Sequence, residues 1–344
     1  MEKLSNSKDR YNKNMAMKKV VVFGSAIADM VVSSSNFKVI KSHQVEGGVA
    51  LCEVYGGKLE AEAVDLLVGG GGTNVGLGLS RLGQTVRVMS AVGKDRLGRI
   101  IKEEMERYGL DPQWLVEREE KTGASVILVA GDGGRSIITH RGASQKIESK
   151  DVDWDVVAKA DWIQSSSLGG KMDLLEDLVI FGNKKKIEVG LNPGKKELQS
   201  KERMKSLLSK ISFLSLNHME AVEFWGGKYG EDKEMAKKFI DQGVKTVAIT
   251  DGKKGAGLGT KERWIKAGSF KTKSIDDTGA GDAFASGIVA GILLKKGDEE
   301  ILKMGLANGG SVVCFLGTKE GLLDEKGMEK WLKKNIKLVE EDWV

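Results

Sequence analysis

The most informative stretch of the sequence is IDDTGAGDAFASGIVAGIL, which runs from Ile275 to Leu293. Its small residues from Gly279 to Gly281 predict a tight turn, and the apolar pattern from Ala283 onward predicts a helix. A turn at a helix N-terminus presents unpaired N–H groups and the positive end of the helix dipole, so it is a typical anion site. Asp282, in the first turn, either caps the helix or serves as a base for an attacking hydroxyl.

A second stretch, VGGGGTNVGLGLSRLG from Val68 to Gly83, contains four consecutive glycines. Such a run indicates either backbone held against a ligand or a flexible turn. Thr73 and Asn74 are suited to opening the helix that follows. No Lys-Ser/Thr pair follows the glycines, and the third glycine of a GxGxxG motif is missing, so the stretch is neither a P-loop nor a dinucleotide fingerprint.

Three further patterns each fit a functional and a structural interpretation. Asn217 and Glu220 follow a strand and suit either a hydrated Mg²⁺ or a helix-capping box. Asp29, beyond the first strand, suits either the hydroxyls of a polyol or a turn. ITDGKKGAGLG, Ile249 to Gly259, predicts either a wall of a nucleotide site or a plain hairpin.

The rest of the chain alternates short apolar runs with amphipathic helical segments such as Arg96 to Tyr108 and Asp173 to Asn183. Strands that are apolar on both faces and separated by helices predict a parallel sheet, and therefore a doubly wound α/β domain. The predicted strands are KVVVFG (Lys19–Gly24), VRVMSAVG (Val86–Gly93), WIQSSS (Trp162–Ser167), IEVGLN (Ile187–Asn192), ISFLSLN (Ile211–Asn217) and TVAIT (Thr246–Thr250). Phe270 to Ile275 also has a strand-like pattern.

The alternation of strands and helices is interrupted in two stretches, about 30–67 and 124–141, where strand-like patterns follow one another without helices. They predict antiparallel strands that stand off the main sheet as a small β lid over a cleft at the strand ends. Residues 1–17 are polar and charged and predict a disordered tail.

Composition excludes several classes of function. Among 344 residues, 30% are charged with a net charge of +5, and no basic block is interleaved with aromatic residues, so we expect no nucleic-acid partner. The two cysteines, Cys52 and Cys314, and three scattered histidines form no metal motif. No apolar run reaches the ~18 residues of a membrane span. We therefore expect a soluble, cytoplasmic protein without a membrane partner.

Three motifs in this order and spacing resemble the ribokinase/PfkB family of sugar and nucleoside kinases: Gly69–Asn74 (GGGGTN), Asn217-x-x-Glu220 and Asp276–Asp282 (DDTGAGD). The similarity extends from about Lys18 to about Leu332. The resemblance implies a three-layer α/β/α ribokinase-like fold, with a doubly wound, mostly parallel sheet and a small β lid. It also implies one kinase domain over residues 18–344, with ATP and Mg²⁺ as cofactors.

The resemblance further implies roles for individual residues. Asp282 would be the general base, and the N–H groups of the turn would stabilise the charge of the transferred phosphoryl group. Glu220 would order Mg²⁺ through water, with Asn217. The turn residues are Gly279, Ala280 and Gly281; the acceptor-binding residues are Asp29, Gly70, Gly71 and Asn74; the residues on the ATP side are Thr250, Gly252, Gly255 and Asn308.

Asp276 and Thr278 correspond to positions where many relatives bind a monovalent cation, so a K⁺ site is implied. The alternative is an ion pair between Asp276 and a nearby Lys or Arg. Gly71 stands where some ribokinases carry a lysine, which leaves the identity of the sugar open.

The expected function is ATP-dependent phosphorylation of a primary hydroxyl of a small sugar. The alternatives are a nucleoside kinase of the same fold and a catalytically silent regulator that binds a sugar or nucleotide. An intact Asp282 argues against the silent regulator. Exposed edges of the lid strands make a homodimer through the lid the expected assembly.

Overall fold

The computed structural model describes residues 17–41, 43 and 48–343. The predicted disordered tail lies outside the described residues except for Met17. The strands are β1 (Lys19–Phe23), β2 (Ile27–Ser34), β3 (Lys38–Lys41), β4 (Val49–Cys52), β5 (Ala63–Gly69), β6 (Thr85–Gly93), β7 (Leu115–Arg118), β8 (Ala124–Ala130), β9 (Arg135–His140), β10 (Trp162–Ser165), β11 (Glu188–Leu191), β12 (Phe213–Asn217), β13 (Thr246–Thr250), β14 (Ala256–Gly259), β15 (Arg263–Ala267) and β16 (Leu338–Asp342).

The helices connect these strands, and both helical segments predicted from the sequence are confirmed as α2 and α4. The helices are α1 (Gly71–Arg81), α2 (Arg96–Arg107), α3 (Trp154–Val157), α4 (Met172–Lys185), α5 (Lys195–Gln199), α6 (Lys201–Leu207), α7 (His218–Trp225), α8 (Asp232–Asp241), α9 (Ala280–Leu293), α10 (Asp298–Val312) and α11 (Glu325–Leu332).

The main sheet has ten strands in the order β16-β15-β14-β13-β12-β11-β10-β1-β6-β7. Pairing is parallel from β7 to β13 and antiparallel from β13 to β16. The strand order reverses between β1 and β10. From β1, the chain adds β6 and β7 on one side and then β10 to β13 on the other. In sheets of this kind, ligands bind beyond the carboxyl ends of the strands at such a reversal.

Helices cover both faces of the main sheet. Val21 and Phe23 of β1 belong to a buried cluster that includes residues of α4, α7 and α8. Val20 and Val22 point to the other face, into a cluster that includes residues of α9 and α10. Burial on both faces explains why the strands are continuously apolar, and the predicted doubly wound α/β fold is confirmed.

The lid is a four-stranded sheet in the order β5-β2-β8-β9, and β3 and β4 form a separate hairpin. The prediction of purely antiparallel strands is wrong at the centre of the lid, where β2 and β8 are parallel. The physical reason is the connection between them. The chain passes through β6, α2 and β7 of the main domain before it returns as β8, and a crossover of that length permits parallel pairing.

The strand-like stretch from Phe270 to Ile275 does not form a strand. Phe270 is buried and packs edge-on against Trp331 of α11, with ring centroids 5.2 Å apart. This contact draws the chain away from the sheet after β15. Ile275 then donates its N–H to Val313 O at 2.7 Å, so its backbone pairs with the end of α10 rather than with a strand.

Within the described ranges, none of the helices combines the length and apolar character that a membrane crossing requires.

Candidate active site

Polar side chains gather at the carboxyl edge of the parallel sheet. Ser166 follows β10, Asn192 follows β11, Asn217 ends β12 and Thr250 ends β13. The carboxyl ends of parallel strands share one edge, so these side chains border one cleft. The glycine run and the Gly279–Gly281 turn approach the same edge from α1 and α9.

The glycine run brings the start of α1 against the end of β1. Gly70 has a φ of 97°, which favours glycine, and α1 begins at Gly71. The N–H of Gly72 donates to Ser25 O at 3.0 Å, which holds the loop to the strand end. A β-carbon on Gly71 would overlap Ser166 Oγ. The loop therefore requires glycine for close packing at the edge of the cleft.

The turn before α9 has the predicted form. Gly279 is left-handed, with a φ of 79°, and α9 begins at Ala280. The first intrahelical hydrogen bond runs from Ala283 N–H to Gly279 O at 2.9 Å. The N–H groups of Gly281 and Asp282 precede the first intrahelical bond, so they can donate hydrogen bonds to an anion. The N–H of Ala280 makes only a long bond of 3.3 Å, to Asp277 O.

Asp282 receives donors from three separate elements. Asn74 Nδ2 of α1 donates to Asp282 Oδ2 at 2.9 Å. Ser166 Oγ and Asn192 Nδ2, beyond β10 and β11, approach Oδ1 at 3.5 and 3.4 Å. Burial raises the pKa of the Asp282 carboxyl, against the lowering effects of the Asn74 hydrogen bond and the charge of Lys319. A carboxylate held at this point with a raised pKa is suited to accept a proton.

Asn74 itself differs from its predicted role. The sequence predicted that its side chain binds the acceptor, but the amide is buried and bonded within the protein. Its oxygen accepts from Thr318 Oγ1 and Lys319 Nζ, each at 2.8 Å, and its nitrogen donates to Asp282. The contacts of Asn74 therefore hold the Asp282 carboxylate.

Asp29 lies on the inner face of the lid. Its carboxylate covers Gly69, where a β-carbon would overlap Asp29 Oδ2. Ser125 of β8 is its register partner and interacts with Thr139 Oγ1 of β9 at 3.3 Å. Burial raises the pKa of Asp29, and a hydrogen bond from Ser125 and the charge of Lys319 lower it. A row of carboxylate and hydroxyl groups on this face suits a ligand with several hydroxyls.

A cavity of about 460 Å³ borders the Gly279–Gly281 turn. Thr250, Gly252 and Gly255, which the resemblance assigns to the ATP side, line it together with Ala280 and Gly281. Thr250, Gly252 and Gly255 belong to the β13–β14 hairpin, so the hairpin interpretation is confirmed, and the role as a wall of a nucleotide site stays a prediction. A ligand in this cavity would contact the start of α9.

Asn308, also predicted on the ATP side, does not line this cavity. Its side chain has 0% exposure and bonds Ala283 O, Ser286 Oγ and the N–H of Leu323, each at 2.9 Å. The reason is helical periodicity. Leu306, Gly309 and other residues on one face of α10 line the cavity, whereas Asn308 lies on the face that packs on α9.

Asn217 and Glu220 form the capping box at the start of α7. Asn217 Oδ1 accepts from the N–H of Glu220 at 2.9 Å, and Glu220 Oε2 accepts from the N–H of Asn217 at 2.8 Å. Burial raises the pKa of Glu220. Asn217 is the register partner of Thr250, so the pair lies next to the cavity wall. The capping interpretation is confirmed, and the Mg²⁺ role stays a prediction.

Asp276 and Thr278, the predicted K⁺ ligands, bond to each other and to protein donors. Asp276 Oδ1 accepts from the N–H of Thr278 at 2.9 Å and from its hydroxyl at 2.6 Å. Asp276 Oδ2 accepts from the N–H of Gly317 at 3.0 Å. Arg135 of the lid strand β9 forms an ion pair with Asp276. This arrangement matches the alternative interpretation, in which a basic side chain pairs with Asp276.

Among the residues of the site that escaped the sequence analysis are Ser166, Asn192, Arg135 and Lys319. Ser166 and Asn192 stand directly after predicted parallel strands, and that position was a usable signal. Arg135 and Lys319 carry no such signal, because only tertiary packing brings them to the site. Among the described residues, no group of three or more His, Cys, Asp or Glu side chains is arranged to hold a metal ion.

Comparison with known proteins identifies the family of this chain. Residues 17–325 match the model of the pfkB family carbohydrate kinases. The chain belongs to this family. It is 28% identical to a ribokinase of Haemophilus influenzae over 313 residues, which are 89% of this chain and 95% of the relative. As a pfkB family member, the protein is a phosphotransferase that acts on sugars.

Two solved structures share the fold of this pfkB kinase. Arabidopsis thaliana ribokinase complexed with ribose and ATP is 24% identical, with a TM-score of 0.75 over 93% of this chain and 100% of that chain. A putative ribokinase II from E. coli in complex with ATP and Mg²⁺ is 19% identical, with a TM-score of 0.74 over 92% of this chain and 99% of that chain. The ribokinase-like fold implied by the sequence motifs is confirmed.

Proposed function

We propose that this pfkB kinase transfers the γ-phosphoryl group of ATP to a primary hydroxyl of a small sugar, with Asp282 as the general base. The observation that carries the proposal is the position of Asp282 between two different surfaces. Asp282 directly follows Ala280 and Gly281, which line the cavity, and the charge of Lys319 acts both on Asp282 and on Asp29 in the polar row of the lid. A base between a phosphate site and a hydroxyl site is what phosphoryl transfer requires.

On this proposal, the sugar lies between the inner face of the lid and the edge of the sheet. The Asp29 carboxylate accepts hydrogen bonds from two of its hydroxyls, and the glycine run gives it space near Gly71. Asp282 Oδ1 accepts the proton of the attacking hydroxyl, since Ser166 and Asn192 approach that oxygen only at 3.5 and 3.4 Å. The donated hydrogen bond from Asn74 fixes the other oxygen.

The nucleotide is proposed to occupy the cavity of about 460 Å³, with its phosphates toward the start of α9. The N–H groups of Gly279, Ala280 and Gly281, together with that of Asp282, then stabilise the charge on the transferred group. Mg²⁺, when bound with the triphosphate, neutralises part of its charge. Glu220 has a carboxylate oxygen beyond the one used in its capping box, and that oxygen suits a water of the ion's hydration shell.

The contacts of Asp276 support a reaction that does not require K⁺. Its carboxylate already accepts from Thr278, Gly317 and Arg135. The guanidinium of Arg135 supplies the positive charge that a monovalent cation would otherwise bring.

A homodimer through the lid belongs to the same proposal. Met30, Leu66 and Ile138 lie in one row across the outer face of the lid and are 41%, 42% and 65% exposed. A partner lid would bury this apolar row and cover the lid edges.

The test of the base is the substitution Asp282→Asn, with Asp241→Asn on the outer surface of α8 as the matched control. Asp282→Asn keeps the shape of the side chain and removes proton acceptance, so kcat should fall by about 10²–10⁴-fold. Calorimetric ATP affinity should stay within about twofold of wild type. In the wild type, kcat should fall as the pH drops through the raised pKa of Asp282. Unchanged turnover in Asp282→Asn would refute the role of Asp282.

The acceptor is found by measuring ATP consumption across pentoses, hexoses, their phosphates and nucleosides. The proposal expects the highest kcat/KM for an unphosphorylated pentose or hexose. A clear preference for nucleosides would instead support the nucleoside kinase alternative.

A further inference from the structure

The glycine run is fastened to the C-terminal part of the chain by one buried lysine. Lys319 lies in the segment between α10 and α11 and is 5% exposed. Its ammonium group contacts Val68 O, which precedes the glycines. It also donates to Thr73 Oγ1 at 3.1 Å and to Asn74 Oδ1 at 2.8 Å, and both of these residues follow the glycines. These contacts use all three N–H groups of the ammonium, so none remains to bind a substrate.

The hydrogen bond to Asn74 determines which way the Asn74 amide faces. Its oxygen accepts from Lys319 Nζ and Thr318 Oγ1, both at 2.8 Å. With the amide reversed, its NH₂ group would face the ammonium, which cannot accept a hydrogen bond. The nitrogen must therefore face Asp282 Oδ2, to which it donates at 2.9 Å. Lys319 is thus linked to the proposed base through one side chain.

The charges around Lys319 also connect it to the proposed base, Asp282. Burial lowers the pKa of Lys319 to about 7, and the charges of Asp29, Asp282 and Glu104 oppose this change, so Lys319 is a cation below about pH 7. The charge of Lys319 in turn lowers the pKa of both Asp29 and Asp282. A cation without a substrate contact, buried beside two carboxylates of the proposed site, balances charge there.

We propose that Lys319 is a positioning residue for phosphoryl transfer: through Asn74 it orients the Asp282 carboxylate toward the acceptor hydroxyl. This inference rests on the proposed function of Asp282. It adds that the base depends on a lysine from the C-terminal segment, which makes no contact with either substrate. Because Lys319 acts through the base, its loss should change turnover rather than ATP binding.

The experiment compares Lys319→Met with Thr318→Val. Lys319→Met removes the charge and the hydrogen bond at similar volume, and kcat should fall by about 10–100-fold with little change in KM for ATP. The acid limb of the kcat profile should move to higher pH, because Asp282 loses the cation that lowers its pKa. Thr318→Val removes the other donor to Asn74 but no charge, so its acid limb should stay in place. Wild-type kcat and an unmoved acid limb in Lys319→Met would overturn the proposal.

Asn74→Asp is a second variant that leaves Lys319 in place, and it decides the question if Lys319→Met does not fold. The new carboxylate still accepts from Lys319 but cannot donate to Asp282, so kcat should fall to a similar extent. Wild-type turnover in Asn74→Asp would overturn the proposal. Asp282→Asn separates the two hypotheses. If Asp282→Asn is inactive while Lys319→Met and Asn74→Asp turn over like wild type, the proposed role of Lys319 is wrong and the role of Asp282 stands. If Asp282→Asn is active, the role of Asp282 as the base is wrong.

Discussion

The clearest test of the site assignment is the substitution Asn308→Ala, because the sequence and the structure assign different roles to this residue. Asn308 bridges α9, α10 and the segment before α11 through three hydrogen bonds of 2.9 Å. At about 1 kcal/mol for each hydrogen bond, the loss is about 3 kcal/mol of unfolding free energy. Asn308→Ala would also leave the N–H of Leu323 buried without its acceptor, Asn308 Oδ1, so about 3 kcal/mol is a lower bound on the loss of unfolding free energy.

For a chain of 344 residues, the entropy of unfolding is about 0.7 kcal/mol per kelvin at about 2.1 cal/mol/K per residue. A loss of about 3 kcal/mol therefore lowers Tm by about 4 °C. Scanning calorimetry measures Tm, and urea unfolding monitored by tryptophan fluorescence measures the free energy independently. The KM for ATP should stay within about twofold of wild type, because Asn308 lies outside the cavity.

Ser286→Ala is the matched control for Asn308→Ala. It removes a hydroxyl that accepts from Asn308 Nδ2 at 2.9 Å and donates to Ala283 O at 2.8 Å, but Asn308 keeps its bonds to Ala283 and Leu323. Ser286→Ala should therefore lower the free energy of unfolding by about 2 kcal/mol, which is less than the loss in Asn308→Ala. If Asn308→Ala unfolds like wild type but raises the KM for ATP tenfold or more, the structural role is wrong and the ATP-side prediction is correct.

Two other predictions concern ions and assembly. Activity at fixed Mg-ATP should be equal with K⁺ and with a bulky organic cation, because Arg135 already neutralises Asp276; a rate that rises severalfold with K⁺ would contradict this. Arg135→Ala should lower the rate by about 10-fold or more without K⁺, since it leaves a buried carboxylate without its cation. Ile138→Asp on the outer face of the lid should convert a dimer into monomers in sedimentation velocity, with Ile180→Asp on α4 as the control. A monomeric wild type, or an Ile138→Asp dimer, would refute assembly through this face.

Local chemistry made much of the fold and the anion turn predictable. Small residues and a following apolar pattern define the turn at Gly279 and the start of α9, and both depend on neighbours in sequence. The same holds for the β13–β14 hairpin that carries Thr250 and Gly255. Continuous apolar strands indicated burial on both faces, which the layers of helices confirm.

The rest depended on packing that no local pattern encodes. Phe270 resembles a strand residue, but contact with Trp331 decides its environment. Lys319 resembles a solvent-exposed loop residue, and it is buried only because the segment after α10 crosses the start of α1. Asn308 is different, since the periodicity of α10 already placed it off the face that carries Leu306 and Gly309.

The parallel pairing of β2 with β8 also affects how the protein is made. Ala28 pairs with Ala124, so the ribosome must add 96 more residues after Ala28 before β2 can pair with β8. At about 5–20 residues per second, one edge of β2 stays open for about 5–20 seconds, although β5 closes the other edge sooner. An open strand edge is a template for pairing with another chain. Newly made chains are therefore most prone to aggregate before residue 130 emerges, and slower translation of residues 35–123 should lower the soluble yield.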